Sequence, residues 1–128
     1  MDLTLKVQTQ SGTTMIRLFK DRASPTSYKE FTCTVSCSDG FEHRAEIPAA
    51  EIQELLQKIG KARISPLAKC ALGPNGISYE LDICDEGFAR ATYRWWMEPG
   101  EEWKALSEIV RALIGLVRRV AGRPILSG

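Results

Sequence analysis

At 128 residues, 44% apolar and 26% charged, the chain can bury one core without disulfide or metal support, and a single domain over 1–128 is expected. A formal net charge of +1 provides no overall field toward nucleic acid or an anionic membrane. No run approaches the ~18 apolar residues of a membrane span, and Met1-Asp2-Leu3-Thr4-Leu5-Lys6-Val7 lacks the basic start of a secretory signal, so cytoplasmic residence is expected.

Leu3, Leu5 and Val7 alternate with polar residues, as do Ile16 and Leu18 beyond the turn-forming Ser11-Gly12. A two-residue loop at Ser11-Gly12 predicts a hairpin pairing Val7 with Ile16 and Leu5 with Leu18. Asp21 to Ser27, with Ser24-Pro25, reads as a loop. Phe31, Cys33, Val35 and Cys37 resume the alternation, and Ser38-Asp39-Gly40 turns the chain into Phe41, His43, Ala45 and Ile47. A three-residue loop there sets Cys37 opposite Phe41, Val35 opposite His43, Cys33 opposite Ala45 and Phe31 opposite Ile47. A slip of one residue would turn that apolar set outward.

Pro48 to Lys58 has helical spacing through Ile52, Leu55, Leu56 and Ile59, with Pro48 at the first helical position and Gly60 as terminator. The pattern fails from Lys61 to Gly76, where Pro66, Gly73 and Pro74 predict an irregular connection with a short extended piece near Ile64. Ile77, Tyr79, Leu81 and Ile83 then alternate, and Asp85-Glu86-Gly87 supplies a turn. Closing it as a three-residue loop pairs Asp82 with Arg90, Leu81 with Ala91, Tyr79 with Tyr93 and Ile77 with Trp95. Glu80, Asp82, Arg90, Thr92, Arg94 and Trp96 then share the polar face, with opposite charges across the strands. Trp103, Leu106, Ile109, Val110, Leu113, Ile114, Leu116, Val117 and Val120 form the broad apolar side of a helix from Glu101 to Ala121. Glu101 and Glu102 suit its start, Arg118 and Arg119 its end, and Gly122 and Pro124 stop it. The order ββββ-α-ββ-α predicts an α+β two-layer sandwich, an antiparallel sheet of about six strands covered by two helices.

No Gly-rich phosphate loop, GxSxG, HExxH or EF-hand loop occurs. Cys33, Cys37, Cys70 and Cys84 form no CxxC pair, and with the single histidine, His43, they match no zinc-finger spacing. On one strand Cys33 and Cys37 stand ~13 Å apart, beyond disulfide reach, so reduced packing thiols are expected. His43 as base to Cys33 or Cys37 lacks a third orienting group and reads instead as a packing residue within an apolar alternation. Glu80 and Asp82 have the spacing of an acid–base pair, but Arg90 beside Asp82 favours an ion pair over proton transfer. No catalytic residue, metal or cofactor is therefore expected.

The tryptophans divide by parity. Trp95 and Trp103 fall on apolar faces as core anchors, whereas Trp96 falls beside Arg94 and Arg90. Arg and Trp concentrate at the energetic centres of protein interfaces, which makes Arg90, Arg94, Trp96, Glu80 and Asp82 the predicted partner-binding residues. The plain alternative is that Trp96 caps the core from the strand end. The interleaved acids oppose phosphate, so nucleic acid is not expected despite Arg111, Arg118, Arg119 and Arg123 near the carboxyl end. A rival reading is a small-molecule or enzymatic pocket between sheet and helices, lined by Tyr79, Tyr93, His43 and the cysteines. A homodimer through the polar face or an edge strand would bury Trp96.

Gly76-Ile77-Ser78-Tyr79-Glu80-Leu81-Asp82, then Tyr93-Arg94-Trp95-Trp96 and the Glu101 to Val120 helix, resemble in layout small bacterial immunity proteins, which block a cognate toxin in the cytoplasm. The layout is also similar to the α+β arrangement of type III secretion chaperones. Immunity proteins are commonly acidic where this chain is near neutral, and a secretion chaperone opens with a helix where this chain opens with strands. The resemblance implies a non-enzymatic module that binds and occludes a toxin or effector protein, or a chaperone-like binding protein. It carries no site residue with it.

Overall fold

The computed structural model describes residues 2–20, 30–64, 76–85, 89–97 and 99–121. The alternating segments form β1 (Asp2–Thr9), β2 (Gly12–Phe19), β3 (Glu30–Cys37) and β4 (Glu42–Pro48), followed by α1 (Gln53–Lys61). β5 (Ser78–Asp85), β6 (Ala89–Trp96) and α2 (Lys104–Ala121) complete the expected order. The six strands make one antiparallel sheet in the order β4-β3-β2-β1-β5-β6. Neighbours in sequence pair as hairpins. Among the described residues the one long-range pairing is β1 with β5, which makes β1 central.

Parity sorts the side chains. Leu3, Leu5, Ile16, Leu18, Ile47 and Leu81 are fully buried on one face of the sheet, with Ile52, Leu106, Ile109, Leu113 and Val117 from the helical segments in the same core cluster. Each such side chain contributes roughly 1.5–3 kcal/mol on burial, so the sheet–helix layer dominates stability. The fold is the predicted α+β arrangement, with an antiparallel sheet and two helices.

The β3–β4 register is as expected, Val35 facing His43, Cys33 facing Ala45 and Phe31 facing Ile47. Gly40 takes φ 98° in that turn, and Cys37 N–H donates to Phe41 O at 2.8 Å. Two other registers differ from expectation, each by two residues. In β1–β2, Leu5 faces Ile16, Leu3 faces Leu18 and Val7 faces Thr14, with the loop at Gln10-Ser11. Thr9 Oγ1 holds that loop by accepting from Ser11 N–H at 3.2 Å. Gly12 is drawn into the strand because Ser38 packs against it: an added Cβ would lie 2.0 Å from Ser38 Oγ. Thr13 N–H donates to that hydroxyl at 3.0 Å, and Ser38 N–H to Thr13 O at 2.9 Å. The glycine serves close approach between neighbouring turns rather than the turn itself.

In β5–β6, Leu81 faces Tyr93, Tyr79 faces Trp95 and Asp82 faces Thr92, with Asp85 opposite Ala89. This register stacks Tyr79 on Trp95 at 5.3 Å between centroids and places Glu80 directly opposite Arg94. A slip of two residues preserves which face each side chain occupies, so the apolar pattern does not distinguish the two registers.

α1 begins later than predicted. Pro48 stays extended at ψ 140° as the last residue of β4, paired with Glu30, and a 3₁₀ turn over Ala49–Ile52 leads into the helix. A strand end on the sheet edge tolerates the missing N–H. Gly60 lies within α1 rather than ending it, and the chain becomes extended at Ala62. A 3₁₀ turn over Glu101–Trp103 likewise precedes α2. The expected loop over Asp21 to Ser27, the Asp85-Glu86-Gly87 turn beyond Asp85, most of the 61–76 connection, Cys70, Arg123 and the Gly122/Pro124 stop lie outside the described residues. No helix among the described residues is long and apolar enough to cross a membrane.

Candidate functional site

The sheet face turned away from the core carries the predicted residues. Because β1 pairs with both β2 and β5, four rows of side chains cross this face, two of them at its centre. One runs Arg17, Thr4, Asp82, Thr92, and the other Met15, Lys6, Glu80, Arg94. Ion pairs order the face. Arg90 donates to Asp82 from Nε at 3.2 Å and from Nη2 at 2.6 Å, and Thr92 Oγ1 adds a bond to the same carboxylate at 3.3 Å. Arg94 Nε lies 3.2 Å from Glu80 Oε2. Arg17 holds Asp2 through Nε at 3.2 Å and Nη2 at 2.7 Å.

The hydrogen bond from Arg90 holds the Asp82 carboxyl below its usual range, and the same bond raises the Arg90 guanidinium. Arg17 is raised in the same way by Asp2. These are ionised structural pairs, and nothing about Asp82 suits it to carry a proton. The arginine side chains nevertheless stay 70% exposed at Arg90 and 76% at Arg94, while their acids are more covered. Arg90 spends two of its five donors on Asp82, so the remaining edge of a fixed, planar cation faces solvent.

Trp96 shares the face of Arg94 but occupies the end of the strand, opposite Ser78. Its indole lies against Gly76, where an added Cβ would stand 2.9 Å from Cε2 and Cζ2. Met97 follows in a left-handed conformation at φ 62°, donates its N–H to Ile77 O at 2.7 Å and lies with its sulfur 3.2 Å from Ile77 N. The half-buried Trp96 is thus seated on the Gly76 backbone, with part of its surface open beside Arg94. Trp95 is 4% exposed within the core, and Trp103 meets Tyr93 edge-on at 5.6 Å, as their parity and spacing predicted.

All five predicted residues therefore stand on one face: Glu80, Asp82, Arg90 and Arg94 in one charged ladder, Trp96 at its end. Asp2 and Arg17 belong to the same surface and escaped the sequence reading, because only the β1–β5 pairing brings β1 and β2 beside it. The Asp2–Phe19 cross-strand pair and its diagonal to Arg17 were the available signal, visible only once the first hairpin register is correct.

The pocket reading fares differently. His43 lies on β4 and Tyr93 on β6, opposite edges of a six-stranded sheet and so ~24 Å apart. Cys33 is 1% exposed, and burial pushes its thiol up to about 11, which suppresses the thiolate a nucleophile needs. Tyr79, Tyr93, His43 and the described cysteines do not converge. No group of three potential metal-ligating His, Cys, Asp or Glu side chains occurs among the described residues. Grooves do open beside the helices, and two of them flank the ends of α1 and the β6 edge. One of about 540 Å³ lies between the end of α1 and the start of α2, with Lys58, Lys61, Arg63 and Lys104 balanced in part by Glu54 and Glu108. The other, of about 330 Å³, follows the β6 edge beneath Ile59, Ile64 and Ile109.

No family model, curated protein or solved structure matches the chain.

Proposed function

We propose that the protein is a non-enzymatic binding module that occludes a partner protein through the open face of its sheet, at Glu80, Asp82, Arg90, Arg94 and Trp96. The observation that carries this reading is the state of the two arginines. Each is tied to a carboxylate of the neighbouring strand, yet most of its side chain remains exposed. A guanidinium already fixed in place loses less freedom on docking than a free side chain does. With Trp96 at the end of the same row, the face combines the residue types that dominate interface energetics. An immunity-type inhibitor of a toxin, acting in the cytoplasm, is the form of this function that the layout resemblance favours.

Replacing Arg94 and Trp96 together by Ala tests it, because both lie outside the core cluster. The variant is expected to keep the wild-type circular dichroism spectrum while losing the partner that wild-type protein captures from its native host. Equal capture by both proteins would remove this face from the interaction, and capture by neither would remove the binding function.

A further inference from the structure

We propose that the outer edge of β6 pairs with the same edge of a second copy of this chain, joining two sheets about a two-fold axis at Tyr93. This stands on backbone geometry and does not depend on the partner-binding reading.

β6 ends the sheet, and among the described residues no strand pairs with its outer side. Met97 N–H donates to Ile77 O, which marks that opposed pair as hydrogen-bonded. Hydrogen-bonded and non-bonded pairs alternate along an antiparallel ladder, so Trp95, Tyr93 and Ala91 also point their backbone groups at β5. Arg90, Thr92, Arg94 and Trp96 therefore direct theirs outward. The stretch Arg90 to Trp96 contains no proline, glycine or lysine to blunt it. The other edge, β4, instead closes on Pro48.

A two-fold pairing must match outward residues with outward residues, which leaves few registers. Centring on Thr92 sets Arg90 against Arg94 of the second copy, and centring on Arg94 sets that arginine against itself. Centring on Tyr93 avoids both. Thr92 then faces Arg94, Arg90 faces Trp96 in reach of a cation–π contact, and all four outward residues pair, for roughly eight backbone hydrogen bonds. On the core side Tyr93 meets Tyr93 and Ala91 meets Trp95, beside the groove lined by Ile59, Ile64, Ile83 and Ile109. The second copy thus covers apolar surface that one chain leaves open.

Sedimentation equilibrium of the full chain tests this with two variants at Thr92, a residue outside the Arg94/Trp96 pair used for partner capture. Thr92→Pro removes an N–H that, among the described residues, only the dimer uses. Thr92→Lys sets a cation against Arg94 of the second copy while facing Asp82 within its own chain. Wild type is expected to sediment as a dimer, and each folded variant to self-associate roughly tenfold or more weakly. If Thr92→Pro does not fold, Thr92→Lys carries the test. A monomeric wild type, or a dimer that Thr92→Lys leaves undiminished, would overturn the proposal.

Discussion

Cys33 shows how a side chain's place in the sheet decides its chemistry. It lies opposite Leu18 and Ala45 in the buried layer, and loss of solvation there pushes its pKa up to about 11. The unfolded chain ionises near pH 9.0, so between that value and about 11 the unfolded state releases a proton that the folded state retains. Stability from the neutral thiol is fully present below the unfolded value and is lost as pH rises through this window, by roughly 2–3 kcal/mol. Cys33→Val is expected to flatten that alkaline decline, read as urea midpoints between neutral pH and about pH 10.5. Gly12 and Gly76 make a related point. Each leaves room for a neighbour, Ser38 in one case and Trp96 in the other, and neither neighbour is close in sequence.

At the level of elements, the β5–β6 hairpin is a charged ladder built on an aromatic one. Tyr79 and Trp95 stack on its buried side, while Glu80–Arg94 and Asp82–Arg90 cross its open side. The Asp82–Arg90 contact was expected from a register in which the two residues are directly opposed. It forms instead on the diagonal, because an arginine side chain is long enough to span the offset. Asp82 is held below the usual carboxylate range by Arg90 and Thr92, so its contribution is present above that range and lost as pH falls through the lowered value. Asp82→Asn is expected to be less stable than wild type at neutral pH, with the difference closing below about pH 4 in urea titrations. The effect is small, since the pair lies at the surface.

Across the whole molecule, stability resides in the layer between sheet and helices. Leu113 is fully buried on α2 within the cluster that includes Leu5, Ile16 and Leu81. Leu113→Ala is expected to cost about 2–5 kcal/mol, measured as a lower urea midpoint with an unchanged slope. The charged face on the other side bears little of this load. That separation is why Arg94 and Trp96 can be exchanged without threatening the fold, whereas Leu113 cannot.

Strand and helix identity, the face each side chain takes and the separation of Trp96 from Trp95 and Trp103 follow from local periodicity, because periods of 2 and 3.6 act within one element. The four charged members of the candidate site were legible for the same reason. Helix starts were less so: Pro48 fits a first helical turn and a strand end equally well, and its pairing with Glu30 decides the matter. The registers of β1–β2 and β5–β6 were beyond reach, since a two-residue slip leaves every apolar side chain on its proper face. Tertiary contacts chose between them: Ser38 against Gly12 in the first, and the Tyr79–Trp95 stack with Glu80–Arg94 in the second. The β1–β5 pairing is likewise a contact between strands far apart in the chain. Local hydropathy determines that a polar face exists, but only that pairing decides which charges share it.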